Sequence, residues 1–485
     1  MFCALEAIAI NNFLLNPGIL SKIILIILLG RILLTRHWKL IGGCIVTAIF
    51  WWGFQIQYNS VFFSQKVEPK KRISNETVYA YADKIKKTNG SIKIEAINLR
   101  NSKKVQVFYN EPKDDSLNLK SLTGLVKITL SGEQKAPTKP TNENQFDYSK
   151  FLLSKNIKTV IWAQKLAIKE VKFNKNFQIQ NAIHQLRSVL VQKFESFPTP
   201  LNEYSKALIL GILDEDFAHV NENIKKLGLL YLFCLSGLHA FFIKKYLSYL
   251  LQRFKVAQET INILLLIIFP FYWILGGNNV SLTRAIWMIW LGILSTFLLK
   301  NRLVGIESWS IVVICYLIKY PATFLTLGAQ LSYLMTFILL CTSETNLIKT
   351  SFKLNNFSMP IILNATYQWN ILTTFFSVIF GFIFEKIIFP ITLIGALIPF
   401  LRKGSALILG IFNILIEKCS MLPTIITFGK LSSIMCLIII LILFTLEKQK
   451  FLKFKWGILI LIYIGSYISI HYPLKDEVLD KAIAF

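Results

Sequence analysis

Apolar positions in this 485-residue chain are gathered rather than scattered. They form stretches of roughly 15–22 residues, about what a helix needs to cross a ~30 Å hydrocarbon core, and Pro, Gly and charged residues separate them. The pattern predicts a bundle of spanning helices. The first run is Gly18–Leu34, and the second is Leu40–Phe54. Arg31, Arg36 and Lys39 lie between or at the edge of these runs, and a short loop this basic faces the cytoplasm. The two helices therefore form a hairpin with both outer ends outside, and the segment after Phe63 is extracytoplasmic. The first sixteen residues lack the basic n-region of a secretory signal, and no small-residue cleavage site follows, so the first run is read as retained. Further spans are expected near 228–251, 261–277, 281–299, 303–320, 322–342, 371–384, 386–400, 432–446 and 457–471. Ser405–Ile416 is shorter and interrupted, the pattern of a re-entrant or interfacial helix.

From Val67 to Val171 the period changes. Lys93–Ile97, Lys104–Phe108 and Val126–Leu130 alternate apolar with polar positions, which predicts half-buried strands. Asn89-Gly90, Asn101-Ser102, Ser131-Gly132 and the Pro137/Pro140 stretch mark turns. Lys158–Ala163 reads as a late strand that continues into Leu166–Val171, and a short helix over Asp147–Ser154 precedes it, with Asp147 placed to cap it. Five short strands with one interposed helix predict a small β-barrel, for which an OB-fold is the natural candidate. Next, Ile179, Ala182, Ile183, Leu186, Val189, Leu190 and Phe194 share one helical face, with Arg187 and Lys193 off it. That amphipathic helix would rest on the barrel or on the outer leaflet.

Composition supports a membrane class: 54% of the residues are hydrophobic. The net charge is +26, and roughly half of it lies between Lys66 and Lys206. One reading is a solvated basic surface beside an anionic membrane, which composition alone favours. The other is a surface that attracts a polyanion. The seven cysteines all lie in or beside apolar segments, at spacings of neither a zinc site nor a redox pair. None falls between Lys66 and Lys206, so the barrel can form no internal disulfide. The five histidines show no HxH or HExxH spacing, and there is no Walker A loop, GxSxG elbow or GxGxxG. Motor and nuclease functions, where needed, fall to partners.

Candidate chemistry sits inside the apolar core. Tyr231–His239 places Ser236, Gly237 and His239 within one turn of an apolar run. Ser281-Leu282-Thr283-Arg284-Ala285 opens another span with an arginine, beside Asn278 and Asn279. Gly328–Tyr333 adds Gln330 and Ser332. Ionisable groups at such depth usually face the bundle interior or a water-filled path. The plainer alternatives are interhelical hydrogen bonds for Ser236, Ser332 and His239, close helix packing for Gly237, and a snorkelling Arg284. Glu307 and Glu385 mark span ends.

These runs resemble the ComEC family, the polytopic channel for DNA uptake in competent bacteria. Ala207–Asp214 followed by Lys226–His239 is similar to the family's signature ending in Ser-Gly-Leu-His; Ser281–Ala285 and Leu327–Tyr333 resemble its next two elements. Phe146-Asp147-Tyr148, with Phe151-Leu152 after it, resembles the Phe-Asp-Tyr helix of the family's N-terminal OB-like domain. The resemblance covers roughly residues 20–470. It implies a polytopic α-helical membrane protein of the bacterial plasma membrane, with an N-terminal hairpin (1–63), an extracytoplasmic basic OB-like β domain (64–175), an amphipathic helix and connector (176–206), a competence-type transmembrane domain (207–475) and a tail (476–485). Many members end in a metallo-β-lactamase-like domain, whose HxHxD pattern is absent here, so no nuclease activity is assigned. The family's OB-like domain can carry a disulfide that this one lacks the cysteines to form.

The resemblance implies a channel rather than an enzyme, without cofactors. DNA would be captured outside, and one strand would pass a polar path near Ser236, Gly237, His239, Arg284, Gln330 and Ser332. OB barrels hold single strands by tracking phosphates with Lys/Arg and stacking bases on aromatics. Tyr79, Tyr81 and Tyr109, interleaved with Lys103, Lys104 and Lys113, are the expected contacts, whereas Phe108 reads as packing. Membrane lipids, an outer DNA receptor, a cytoplasmic helicase-like motor and a separate nuclease are the implied partners. A solute or lipid transporter would instead predict internal repeats, of which there is no sign. A non-conducting scaffold of an uptake machine is the third reading.

Overall fold

The computed structural model describes residues 1–15, 18–63, 71–88, 91–98, 103–111, 122–142, 145–170, 178–213, 218–277, 279–298, 303–342, 346–428, 431–448 and 464. Three helices open the chain: α1 (Phe2–Leu15), α2 (Ile19–Leu34) and α3 (Trp38–Phe63). Strands β1 (Lys71–Thr88), β2 (Ser91–Asn98), β3 (Lys103–Asn110) and β4 (Leu125–Lys135) come next, then α4 (Tyr148–Ser154) and β5 (Ile157–Glu170). Helices α5 (Gln178–Glu195) and α6 (Leu201–Ser205) lead through a π-turn at Lys206–Leu210 to α7 (Ala218–Lys226) and α8 (Leu230–Phe233). Then follow α9 (Gly237–Arg253), α10 (Gln258–Leu275), α11 (Val280–Leu298), α12 (Gly305–Lys319), a 3₁₀ turn at Pro321–Leu325, α13 (Leu327–Leu340) and α14 (Leu347–Thr366). Strand β6 (Gln368–Asn370), α15 (Thr373–Ile383), a π-turn at Phe384–Ile388 and α16 (Phe389–Leu397) precede α17 (Arg402–Ser420), β7 (Ile425–Thr427) and α18 (Ser433–Lys448). The chain divides into two compact units. The first holds Met1–Ala218, Phe233–Thr326 and Ile387–Ile411, and the second holds the rest.

In the first unit the strands close into the expected barrel, in the order β1-β2-β3-β5-β4. All neighbours are antiparallel except β3 with β5. Alternation does what it predicted: Ile92, Ile94, Ala96, Val105, Val107, Val126, Ile128 and Leu130 fill the interior. The strand that alternation did not mark is β1, which contributes Val78 and Ala80 and bulges between Ala80 and Ile85. Helix α4 forms where expected, because the Asp147 carboxylate accepts from the Lys150 amide at 3.0 Å.

Helix α5 corrects its predicted face. Arg187, expected off the packed face, is buried with Ser188 and Phe194, whereas Leu186 and Val189 are 48% and 45% exposed. A charge partner on the barrel, described below, outweighs the apolar stripe. A missed helix, α1, packs on α3 and on the 3₁₀ turn. Its Asn11 amide donates to the Pro321 carbonyl at 2.7 Å and accepts from Gln55.

Among the described residues, five helices are long and apolar enough to cross a membrane: Trp38–Gln57, Gln258–Leu275, Val280–Leu298, Thr373–Leu397 and Pro399–Ser420. The chain is a multi-pass helical membrane protein with an N-terminal barrel. Three expectations change. The run 228–251 is broken at Cys234–Ser236, so α9 starts at Gly237. The spans expected at 371–384 and 386–400 are one continuous helical run, with Glu385 in its π-turn. The interrupted Ser405–Ile416 segment lies within a full-length helix. The last expected span, 457–471, falls outside the described residues, of which only the helical Ile464 remains there.

In the second unit, α13, α14 and α18 share a core of Ile338, Phe357, Leu363, Ile439 and Leu443. Helix α14 was not expected, because Lys349, Lys353, Asn355 and Asn356 interrupt its apolar face. Asn346 caps it by accepting from the Ile348 and Lys349 amides.

Candidate functional site

The broken helix places three of the expected pathway residues. Ser236 is extended (φ −131°, ψ 176°) and caps α9, its hydroxyl accepting from the Leu238 amide at 3.3 Å. The His239 ring answers it: Nδ1 accepts from the Ser236 backbone N–H at 3.1 Å. This is a capping box in which an imidazole replaces the usual Glu or Gln. A ring nitrogen that accepts from an amide keeps its lone pair there, so the proton of neutral His239 sits on Nε2. The ring is fully buried and meets Phe389 edge-on at 5.0 Å.

Arg284 reaches the same helix start. A Cβ on Gly237 would stand 3.3 Å from an Arg284 guanidinium nitrogen and 3.2 Å from the Ala285 Cβ. Glycine gives room for this close approach and lets the buried Arg284 sit beside the opening turn of α9. Asn279 starts α11 by accepting from the Ser281 amide at 3.2 Å, and its carbonyl accepts from the Thr283 hydroxyl at 2.8 Å. Below the break, Leu235 is wedged between Gly211 and Gly276, where a Cβ on either glycine would lie within 2.9 Å of it. The second and third candidate runs are thus separated. Ser236, Gly237, His239 and Arg284 meet in the first unit, whereas Gln330, exposed, and Ser332, half-buried, lie on α13 in the second.

The barrel residues redistribute. Tyr109 points inward with Val105 and Val107 and belongs to the core. Tyr81 faces outward, but α5 covers it, and the His184 ring stacks on it at 3.7 Å. Both side chains are thus buried, Tyr109 in the barrel core and Tyr81 beneath α5. Tyr79 is half-buried on the outer face of β1, Lys103 is half-buried and Lys104 exposed at the start of β3. Lys113 lies outside the described residues.

A different aromatic group lies on the outer face of β2, β3 and β5. Phe108 and Trp162 stack at 4.9 Å and 21°, and Trp162 is 48% exposed. Tyr148 and Phe151 of α4 join them, and Phe146, also exposed, sits 5.9 Å from Phe151. Lysines cover these rings: the Lys93 ammonium lies 5.7 Å from Phe108 and 5.2 Å from Tyr148, and Lys155 lies 5.0 Å from Phe151. Lys155 also pairs with Glu95. Burial lowers the Lys84 ammonium below the ordinary lysine range against the pull of Glu95 and Asp83, while Lys104 and Lys155 add like charge nearby. One carboxylate, Glu95, thus faces three lysines, Lys84, Lys104 and Lys155. The signal was parity: Ile161 is a core residue, so Trp162 must face out, and Val107 does the same for Phe108.

A family profile described as competence protein matches residues 208–450, half of the chain. A curated relative, ComE operon protein 3 of Bacillus subtilis (strain 168), is 25% identical over 311 residues, 61% of this chain and 39% of the relative. The chain therefore spans well under half of that protein's length. No solved structure matches it. The matched region contains the Ser236–His239 break, the Arg284 helix start and the Gln330–Ser332 run, and with them the chain belongs to the competence protein family, the ComEC family that those runs resemble.

Proposed function

We propose that this protein carries single-stranded DNA across the bacterial plasma membrane during natural transformation. Membership of the competence family supports a role in DNA uptake, and the basic barrel supports DNA as the cargo. The observation that carries the reading is the exposed ring of Trp162, backed by Phe108 and set beside the lysines over Phe108, Tyr148 and Phe151, the combination of a ring face and cations that binds single strands without reading sequence. The barrel faces the outside, as the basic Arg31–Lys39 turn argues. Lys103, Lys104 and Tyr79 extend this surface, and Lys113 is a further proposed contact.

The captured strand then enters the helix bundle by the polar start of α9. There the His239 Nε2–H and the Arg284 guanidinium offer hydrogen-bond donors to phosphate oxygens, the Ser236 hydroxyl holds the ring through His239 Nδ1 at 3.1 Å, and Gly237 keeps the backbone low. Gln330 and Ser332 of α13 are further proposed contacts of the strand. An outer receptor, a cytoplasmic helicase-like motor and a separate nuclease complete the machine.

Binding of a fluorescent single strand to the full chain in detergent, measured over a salt series, tests the capture step. Trp162→Ala weakens binding about fivefold or more, since stacking is worth ~1–3 kcal/mol per base. Lys104→Ala lowers the slope of log affinity against log salt by roughly 0.7. Wild-type affinity that does not change with salt would refute DNA capture by this face.

A further inference from the structure

One buried charge group lies outside this machinery. The side chain of Asp83, on the outer face of β1, is completely buried, and its two oxygens are taken by α5: Oδ1 by His184 Nδ1 and Oδ2 by Arg187 Nε, both at 2.8 Å. Burial alone would raise the Asp83 carboxyl, but the His184 hydrogen bond and the charges of His184, Arg187 and Lys84 hold it below the usual carboxylate range. Arg187 does not stop at the barrel. Its Nη1 donates to the Leu210 carbonyl, at 3.3 Å, and to the Leu275 carbonyl. Both acceptors lie where a helix ends, in the π-turn after α6 and in the last residue of α10, where carbonyls lack helical donors and partial negative charge collects. Gly277 follows with φ +72°, and a Cβ there would stand 3.3 Å from the guanidinium, so the turn lies flat against the arginine.

Arg187 therefore ties three segments together: barrel, π-turn and the α10–α11 turn. That last turn feeds directly into α11, whose second turn carries Arg284 beside Gly237. We infer that Arg187 is a positioning residue that couples the barrel to the α10–α11 turn and so holds Arg284 at the start of α9. A guanidinium suits the task because its planar fork can serve a carboxylate and two carbonyls at once, which a lysine ammonium cannot do in that geometry.

The functional half of this inference rests on the DNA-uptake reading; the structural half does not. Hydrogen exchange of the full chain in detergent, read on peptides covering 272–286, tests the joint in wild type, Arg187→Gln and Arg187→Lys. Exchange at Gly276–Thr283 should rise at least tenfold in Arg187→Gln and less in Arg187→Lys, with β2 and β3 unchanged in both. Uptake of labelled DNA by cells should fall at least tenfold in Arg187→Gln, while the same variant binds single strands in detergent as wild type does. Unchanged exchange at the turn overturns the joint, and a loosened turn with full uptake overturns the positioning role. Should Arg187→Gln also lose protection in β2 and β3, Arg187→Lys decides by the same criteria. If cells lacking the chain take up DNA normally, the uptake reading fails, and the exchange result alone judges the joint.

Discussion

Asp83 and Glu95 show how the barrel can be strongly basic and still lean on its few acids. Both are held below the ordinary carboxylate range although burial acts in the opposite direction, Asp83 by His184 and Arg187, and Glu95 chiefly by Lys155. A folded-state value below the unfolded one means that the unfolded chain takes up protons first as pH falls. The contribution is thus fully present above the ordinary carboxylate range and is lost as pH drops through it to the depressed folded-state values. Denaturant titrations of the barrel should give a flat midpoint from pH 7 to about 5, falling below that. Asp83→Asn should flatten the acid limb, and an unaltered limb in that variant would argue against the pairing. At this same scale the aromatic contacts were only partly legible. Tyr109 shares the parity of Val105 and Val107, so its inward direction could be read from the strand, whereas the covering of Tyr81 depends on α5, which arrives from about a hundred residues away.

Elements were legible where one period dominated. The strand interiors and the Asp147 cap follow from local sequence, because alternation and a capping carboxylate act over a few residues. Breaks inside apolar runs were not legible. Hydropathy averages over Cys234–Ser236, yet Ser236 with His239 three residues later is a capping pair, and that spacing does signal a helix start. The reverse error occurred at 384–388, where Glu385 and Lys386 suggested a boundary but a π-turn carries the helix through. Helix α5 misled because its hydrophobic stripe ignores long-range charge pairing. A prediction at this scale concerns Gly132, where β4 crosses β5 at a register shift. A Cβ there would lie 2.1 Å from the Trp162 carbonyl oxygen, which is backbone and cannot swing aside. Gly132→Ala should cost roughly 1–3 kcal/mol by overpacking, read as a lowered midpoint for barrel unfolding. It should also disturb the exposed Trp162; a variant with wild-type stability would mean that β5 is not held this close.

For the whole molecule, the sequence settles the class and the structure reorganises the parts. Long apolar runs make the helical membrane assignment secure, since a hydrocarbon core tolerates few other folds. The number and continuity of spans depend on caps, π-turns and helices such as α14 whose polar positions hide them from hydropathy. The residues proposed to guide DNA belong to two units, and three of them, Ser236, Gly237 and His239, gather at the start of α9 beside Arg284 of α11. The most direct test of that arrangement is uptake of labelled DNA into cells whose own copy is replaced by His239→Ala or Arg284→Ala, with membrane levels matched by quantitative blotting. The account predicts that DNA still binds at the surface while import falls at least tenfold in each variant; normal import in both would contradict it.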